Sequence, residues 1–350
     1  MKDIGEGTIR KIDWTELTPV VLLLRVFNLS LGVRILFIAL IGLQLNMWLN
    51  AWTGIAFLNP TLAEQTHQGK PLFYVNVPID LIYFGVVDVI QTPNVLWLFG
   101  VLLIWTLCGG MICRIVSVRL TIDESESTST LLLFLRKRGI SFITAPVLMS
   151  LGILCCFLPV KIAGWLLAVP YLNYAVALFF PIPFFFACLT VIMTVMLATG
   201  FMLLFAAVST DGSDGFDAIS RMFSYIYQRP LHYVLYWLCC GILGYLGFLL
   251  IQFVIIHPAI ELCWKSVSGD FDHALLSFWA GLFALIPRAF VFAWFWTSSV
   301  AIYLLLRRSV DATPFNEVYR VSPPKVRTLP MIKPDEHGAP EIVPPNEAGT

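Results

Sequence analysis

Charge is scarce in this sequence. Asp, Glu, Lys and Arg make up 13% of 350 residues, against about 25% in a soluble domain. The two signs balance to a net charge of zero, so no nucleic-acid or acidic partner is implied. Catalytic signatures are missing too. No H-E-x-x-H, P-loop, G-x-S-x-G or paired-histidine motif occurs, which argues against the common enzyme classes. The eight cysteines form no C-x-x-C pair, and no histidine stands at ligand spacing beside them. They read as small buried apolar residues, and no cofactor or metal is expected. Residues 1–17 lack a short apolar core followed by small residues, so no cleavable signal peptide is expected there.

Hydrophobic residues make up 58% of the chain. Several runs exceed about 18 residues, enough to cross a hydrocarbon core of about 30 Å. The expected fold is an all-α polytopic bundle of about six spans, at 31–53, 94–117, 139–160, 181–208, 230–256 and 280–306. Amphipathic elbow helices are expected at the interface. The run 161–209 is broken by Pro170, Pro181 and Pro183. It reads either as two spans or as an interfacial or re-entrant segment, about 162–180, followed by one span. Charge favours the second reading. With six spans and both ends inside, every Lys and Arg except Lys70, Lys161, Lys265 and Arg288 falls on the inner side, as positive charge does in cytoplasmic loops. Trp48, Trp52, Trp97, Trp165 and Trp264 then fall at outer ends, where an aromatic belt belongs. Residues 311–350 hold eight prolines and little apolar periodicity, and read as a disordered cytoplasmic tail.

A polar island, 208–230, separates two apolar runs. Asp211, Ser213, Asp214 and Asp217 offer helix N-caps. Phe216, Ile219, Phe223 and Ile226 share one helical face, and Pro230 stops or kinks the helix. Such a short amphipathic helix reads as an elbow on the membrane surface. Similar cap-rich starts near Asp13 and Ser125 suggest a repeat of pattern: three elbow-plus-hairpin units.

Few residues stand out as candidates for chemistry. Asp211, Asp214 and Asp217 could hold a cation or a substrate hydroxyl, although capping explains them as well, and the bidentate Glu of a calcium loop is missing. Arg221 and Arg229 read as contacts to lipid headgroups or to neighbouring carboxylates. Arg288 is either a mid-bilayer charge, and so a functional-site candidate, or an outer-interface residue in a span that begins at Pro287. Asp88 is its conceivable ion-pair partner.

The segment S-T-D-G-S-D-G-F-D-A-I-S-R-M-F-S-Y-I-Y-Q-R-P and the ending I-Y-L-L-L-R-R-S-V-D-A-T resemble uncharacterised polytopic membrane proteins of planctomycete-type bacteria. The layout, with an amphipathic elbow before each hairpin, is similar to YciC-type proteins and to the membrane domain beside some glycerophosphodiester phosphodiesterases. The resemblance implies an integral inner-membrane bundle with no assigned activity, and it carries no catalytic residue over. Three functions are then open. One is a non-enzymatic scaffold or accessory subunit that binds lipid or a protein partner, with a homo-oligomer as one form of it. Another is a permease for an apolar or amphipathic solute. The third is a lipid-acting enzyme that works through Asp211, Asp214 and Asp217.

Overall fold

The computed structural model describes residues 21–53, 95–266, 279–320, 331–334 and 340–343. Two compact units divide the chain, Met1–Tyr319 and Arg320–Thr350. In the second unit β1 (Met331–Pro334) pairs antiparallel with β2 (Pro340–Val343).

The first unit is an all-α polytopic membrane bundle. In chain order it contains α1 (Val21–Ser30), α2 (Val33–Thr53), α3 (Val95–Ile104), a π-helical segment (Trp105–Gly109), α4 (Gly110–Thr121), α5 (Thr128–Leu167) and α6 (Leu172–Leu178). There follow α7 (Pro181–Asp211), α8 (Gly215–Gln228), α9 (Pro230–Leu249), a second π-segment (Leu250–Ile256), α10 (His257–Ser266) and α11 (Ile286–Asp311). By length and composition five described helices can cross a membrane. The count is six if α1 and α2, bent by 67° at their junction, make one broken span.

The hairpins share a plan. The closing helix of each lies inside: 78%, 56% and 83% of the most apolar stretch is buried in Phe99–Thr121, Pro181–Asp211 and Trp279–Asp311. Thr128–Leu167 and Pro230–Ser266, which open the second and third hairpins, are only 33% and 22% buried. α4, α7 and α11 pack on one another and run in the same direction, while α2, α5 and α9 flank them. α11 is the most widely packed helix: it lies against α1, α2, α4, α7, α8, α9 and the second π-segment.

Small residues set these distances. Gly109 lies against the Trp296 ring, with a Cβ there only 2.6 Å from it, and Gly247 lies equally close to Phe27 and Phe290. Close approach through small residues is how membrane helices gain van der Waals contact in a solvent that offers no hydrophobic drive.

Several sequence boundaries shift. The elbow expected after Ser125 and the span 139–160 form one helix of 40 residues, α5, with Ser127 capping it by accepting from the Thr130 amide. Residues 162–180 hold the end of α5 and the seven-residue α6, too short to cross. Trp48, Trp52 and Trp165 are exposed, but Trp97 is buried. On α8 the face against the bundle is Ala218, Met222 and Tyr225. Phe216, expected on the apolar face, is exposed, with Ile219, Phe223 and Ile226 half-buried beside it. α8 therefore has a polar sector, a packing sector and an apolar sector open to lipid. Packed chain continues past residue 311 as far as Tyr319, whose amide donates to the Thr210 carbonyl at 2.8 Å.

Candidate functional site

Two places in the bundle combine buried polar groups with defined geometry. The first is where α4, α7 and α11 end together. α7 closes on Asp211, and Gly212 takes the left-handed conformation, φ +65°. Asp211 does not cap α8; Asp214 does, accepting from the Asp217 amide at 2.9 Å. Asp211 instead turns into the bundle. It accepts from Arg307 and from the Tyr303 hydroxyl, and from Arg221 at 3.1 Å. Arg221 also reaches Asp217 on its own helix at 3.0 Å. Tyr225 donates to Asp311 at 2.5 Å.

A second ion pair stands beside this cluster. Arg114, fully buried, meets Glu126 at 2.5 Å, donates to the Ser209 carbonyl at 3.0 Å and lies over the Phe134 ring. Ser117 bridges Ser209 and Thr210. The physical logic is shared. Three parallel helices bring their unpaired C-terminal carbonyls, the negative ends of their dipoles, to one place. Arginine, with several fixed donors, can serve a carboxylate and carbonyls at once. Arg307 does this, donating also to the carbonyls of Pro314 and Glu317. The strap 312–319 is thereby tied across the helix ends. Its Tyr319 ring lies on Gly212, Phe134 and Arg138.

The second place is a cavity of about 440 Å³ between α2, the first π-segment, α7, α9 and α11, within the usual range for ligand sites. Aromatic side chains dominate its walls, among them Trp105, Phe201, Phe292 and Trp296. Thr199, Val234 and Leu238 line it and are exposed, so it opens sideways between α7 and α9. Tyr233 spans that gap, donating to the Thr199 carbonyl. The π-segment that begins at Trp105 contributes to the wall; π-bulges are frequent at functional sites.

Arg288 lines this cavity. It lies nineteen residues before Arg307 on α11, about 28 Å along a straight helix and so close to one hydrocarbon thickness. Arg288 and Arg307 therefore stand near opposite ends of α11.

Of the sequence candidates, the fold brings Asp211, Asp217 and Arg221 together. Asp214 serves as a cap, and Arg229 is exposed with one long bond, 3.4 Å, to the Ser309 carbonyl. Arg288 is far from all of these. Asp88 lies outside the described residues. Sequence reasoning missed Arg114, Glu126, Tyr303, Arg307 and the cavity. Arg114 and Arg307 sit inside apolar helical runs, where an ionisable residue is itself the signal. Among the described residues no group of three His, Cys, Asp or Glu could hold a metal ion.

Compared with known proteins, the chain matches no family model, no curated protein and no solved structure.

Proposed function

We propose that this chain is a non-enzymatic membrane protein that holds an amphipathic lipid in the bundle and acts as a scaffold or accessory subunit. The aromatic-walled cavity carries this reading: it opens sideways, toward the bilayer, and Arg288 sits at its interfacial end. An apolar chain would enter from the membrane, with its polar end near the headgroup level. The basic residues around the other interface and the proline-rich tail support a cytoplasmic placement of both termini in a bacterial inner membrane. They also offer a surface for a protein partner. The resemblance to inner-membrane bundles of planctomycete-type bacteria agrees with this placement.

The direct test is native mass spectrometry of the full chain, purified from its own membrane into nanodiscs. A retained lipid at one per chain is the expected outcome. Gly241 lines the cavity, and nothing lies within 4 Å of where its Cβ would be. Gly241→Phe should therefore fill the space without a clash and expel the lipid. Retention of the same lipid by this variant would sink the reading. A permease for an apolar solute is the second reading, favoured by the sideways opening between α7 and α9. It requires the solute to cross, so flux into proteoliposomes that Gly241→Phe abolishes separates it from simple binding.

A further inference from the structure

Six buried side-chain polar atoms among the described residues have no hydrogen-bond partner. Three of them, Asn46 Oδ1, Trp105 Nε1 and Trp296 Nε1, belong to residues lining the one cavity described above. Native interiors leave few such groups, and each calls for an explanation. The two indoles meet edge to face with ring centroids 6.0 Å apart, and their residues are 2% and 1% exposed. Neither indole N–H meets an acceptor among the described residues.

Their depth narrows the ligand. Trp296 is eight residues from Arg288 and eleven from Arg307, about 12 Å and 16 Å along the helix. The indoles are thus near the bilayer middle. Asn46 stands higher. Gly42 of α2 touches Phe292 of α11, and the two helices are antiparallel, so Asn46, one turn on, is level with Arg288. Among the described residues no Asp, Glu or Lys lines the cavity, and Arg288, its one described cationic side chain, is at that outer level. At the indole level no described side chain balances a charge, and burying an unbalanced one is expensive. Two N–H donors ask for an uncharged acceptor. Phe201 and Phe292, with the indoles themselves, wall the space with aromatic surface.

We infer that the cavity binds a neutral lipid through a carbonyl oxygen placed between the indole N–H groups of Trp105 and Trp296. The inference rests on the cavity being a lipid site and adds the recognition element. Such a carbonyl has two sources, the ring of an isoprenoid-type quinone or the acyl ester of a neutral glyceride.

The test is equilibrium binding to the full chain in nanodiscs of three probes: a decyl-substituted benzoquinone, a diacylglycerol and an oxygen-free hydrocarbon of equal length. One carbonyl probe should bind at least tenfold more tightly than the hydrocarbon, and which one identifies the source. Trp105→Phe and Trp296→Phe keep an aromatic ring and remove the donor. Each should weaken the carbonyl probe about 2- to 10-fold, the range for one neutral hydrogen bond, and leave the hydrocarbon unchanged. Because either variant could loosen the core, the carbonyl stretching frequency of the bound probe is read as well. It should be lowered in the parent protein and shift back in each variant that still binds. Equal binding of carbonyl probes and hydrocarbon, an unshifted stretch, or no binding of any probe would overturn the inference. Gly241→Phe separates the two levels. Probe binding unaffected by it removes the cavity as a lipid site altogether. Binding blocked by it but indifferent to both tryptophan variants removes the carbonyl contact alone.

Discussion

At the scale of single residues, Asp211 decides most. Its carboxylate compensates Arg307, which is 3% exposed. Removing one partner of a buried pair leaves an unbalanced charge and costs about 3–5 kcal/mol, whereas replacing both by apolar groups is often neutral. Asp211→Leu should therefore lower the thermal midpoint in detergent sharply, and Asp211→Leu with Arg307→Met should recover much of the loss. Additive losses in that double-mutant cycle would show that the pair is not coupled. Tyr225 gives a pH signature. Burial pushes its phenol up, and the hydrogen bond to Asp311 and that residue's charge push the same way. A phenol whose folded value lies above the unfolded value of about 10 stabilises fully below that pH, and its contribution is lost as pH rises past it. Unfolding followed from pH 8 to 11 should show stability falling above about pH 10, with a shallower fall in Tyr225→Phe. Asp211 read from sequence as a helix cap because capping is a local property, visible in neighbouring residues. Tyr303 and Arg307 lie more than ninety positions away, and only the fold makes them its partners.

At the scale of elements, the two kinds of glycine should behave oppositely. Gly212 has φ +65°, and the Tyr319 ring comes within 2.6 Å of where a Cβ would stand. Gly212→Ala should cost about 1–2 kcal/mol from the left-handed backbone alone, and more from the ring. Gly139, inside α5 with nothing within 4 Å, should accept Ala with a gain of up to about 1 kcal/mol. Differential scanning of both variants checks the contrast. The helices themselves were legible because an apolar run longer than a bilayer leaves few alternatives. The elbow on α8 was legible as an element, since Asp214 and Pro230 mark its ends, but not in orientation. Its packing face uses Ala218, Met222 and Tyr225, while bulky Phe216 is exposed. In lipid, apolarity does not say which side is inside. The cavity left no sequence trace, because its walls are the same aromatic and small residues that fill a packed interface.

At the scale of the whole molecule, the first unit ends at Tyr319 and not at Asp311. A chain cut after residue 320 should keep the thermal midpoint of the full protein. A chain cut after 311 removes the acceptors that Pro314 and Glu317 offer Arg307, and should melt lower. Equal midpoints would mean that the strap contributes nothing. The nesting of closing helices inside opening ones also bears on biogenesis. Membrane segments enter the bilayer in the order in which they are synthesised, so α5 and α9, which sit on the outside, arrive before the helices they cover. α11 arrives last, yet it packs against helices of all three hairpins: α1, α2, α4, α7, α8 and α9. Until it does, Asp211 is without Arg307 and the grooves destined for Trp294 and Trp296 face lipid. Assembly is thus withheld until translation is nearly complete, and a nascent chain stalled before α11 would hold Asp211 by Arg221 alone, without Tyr303 and Arg307, a half-built polar cluster that marks it as incomplete to quality-control proteases.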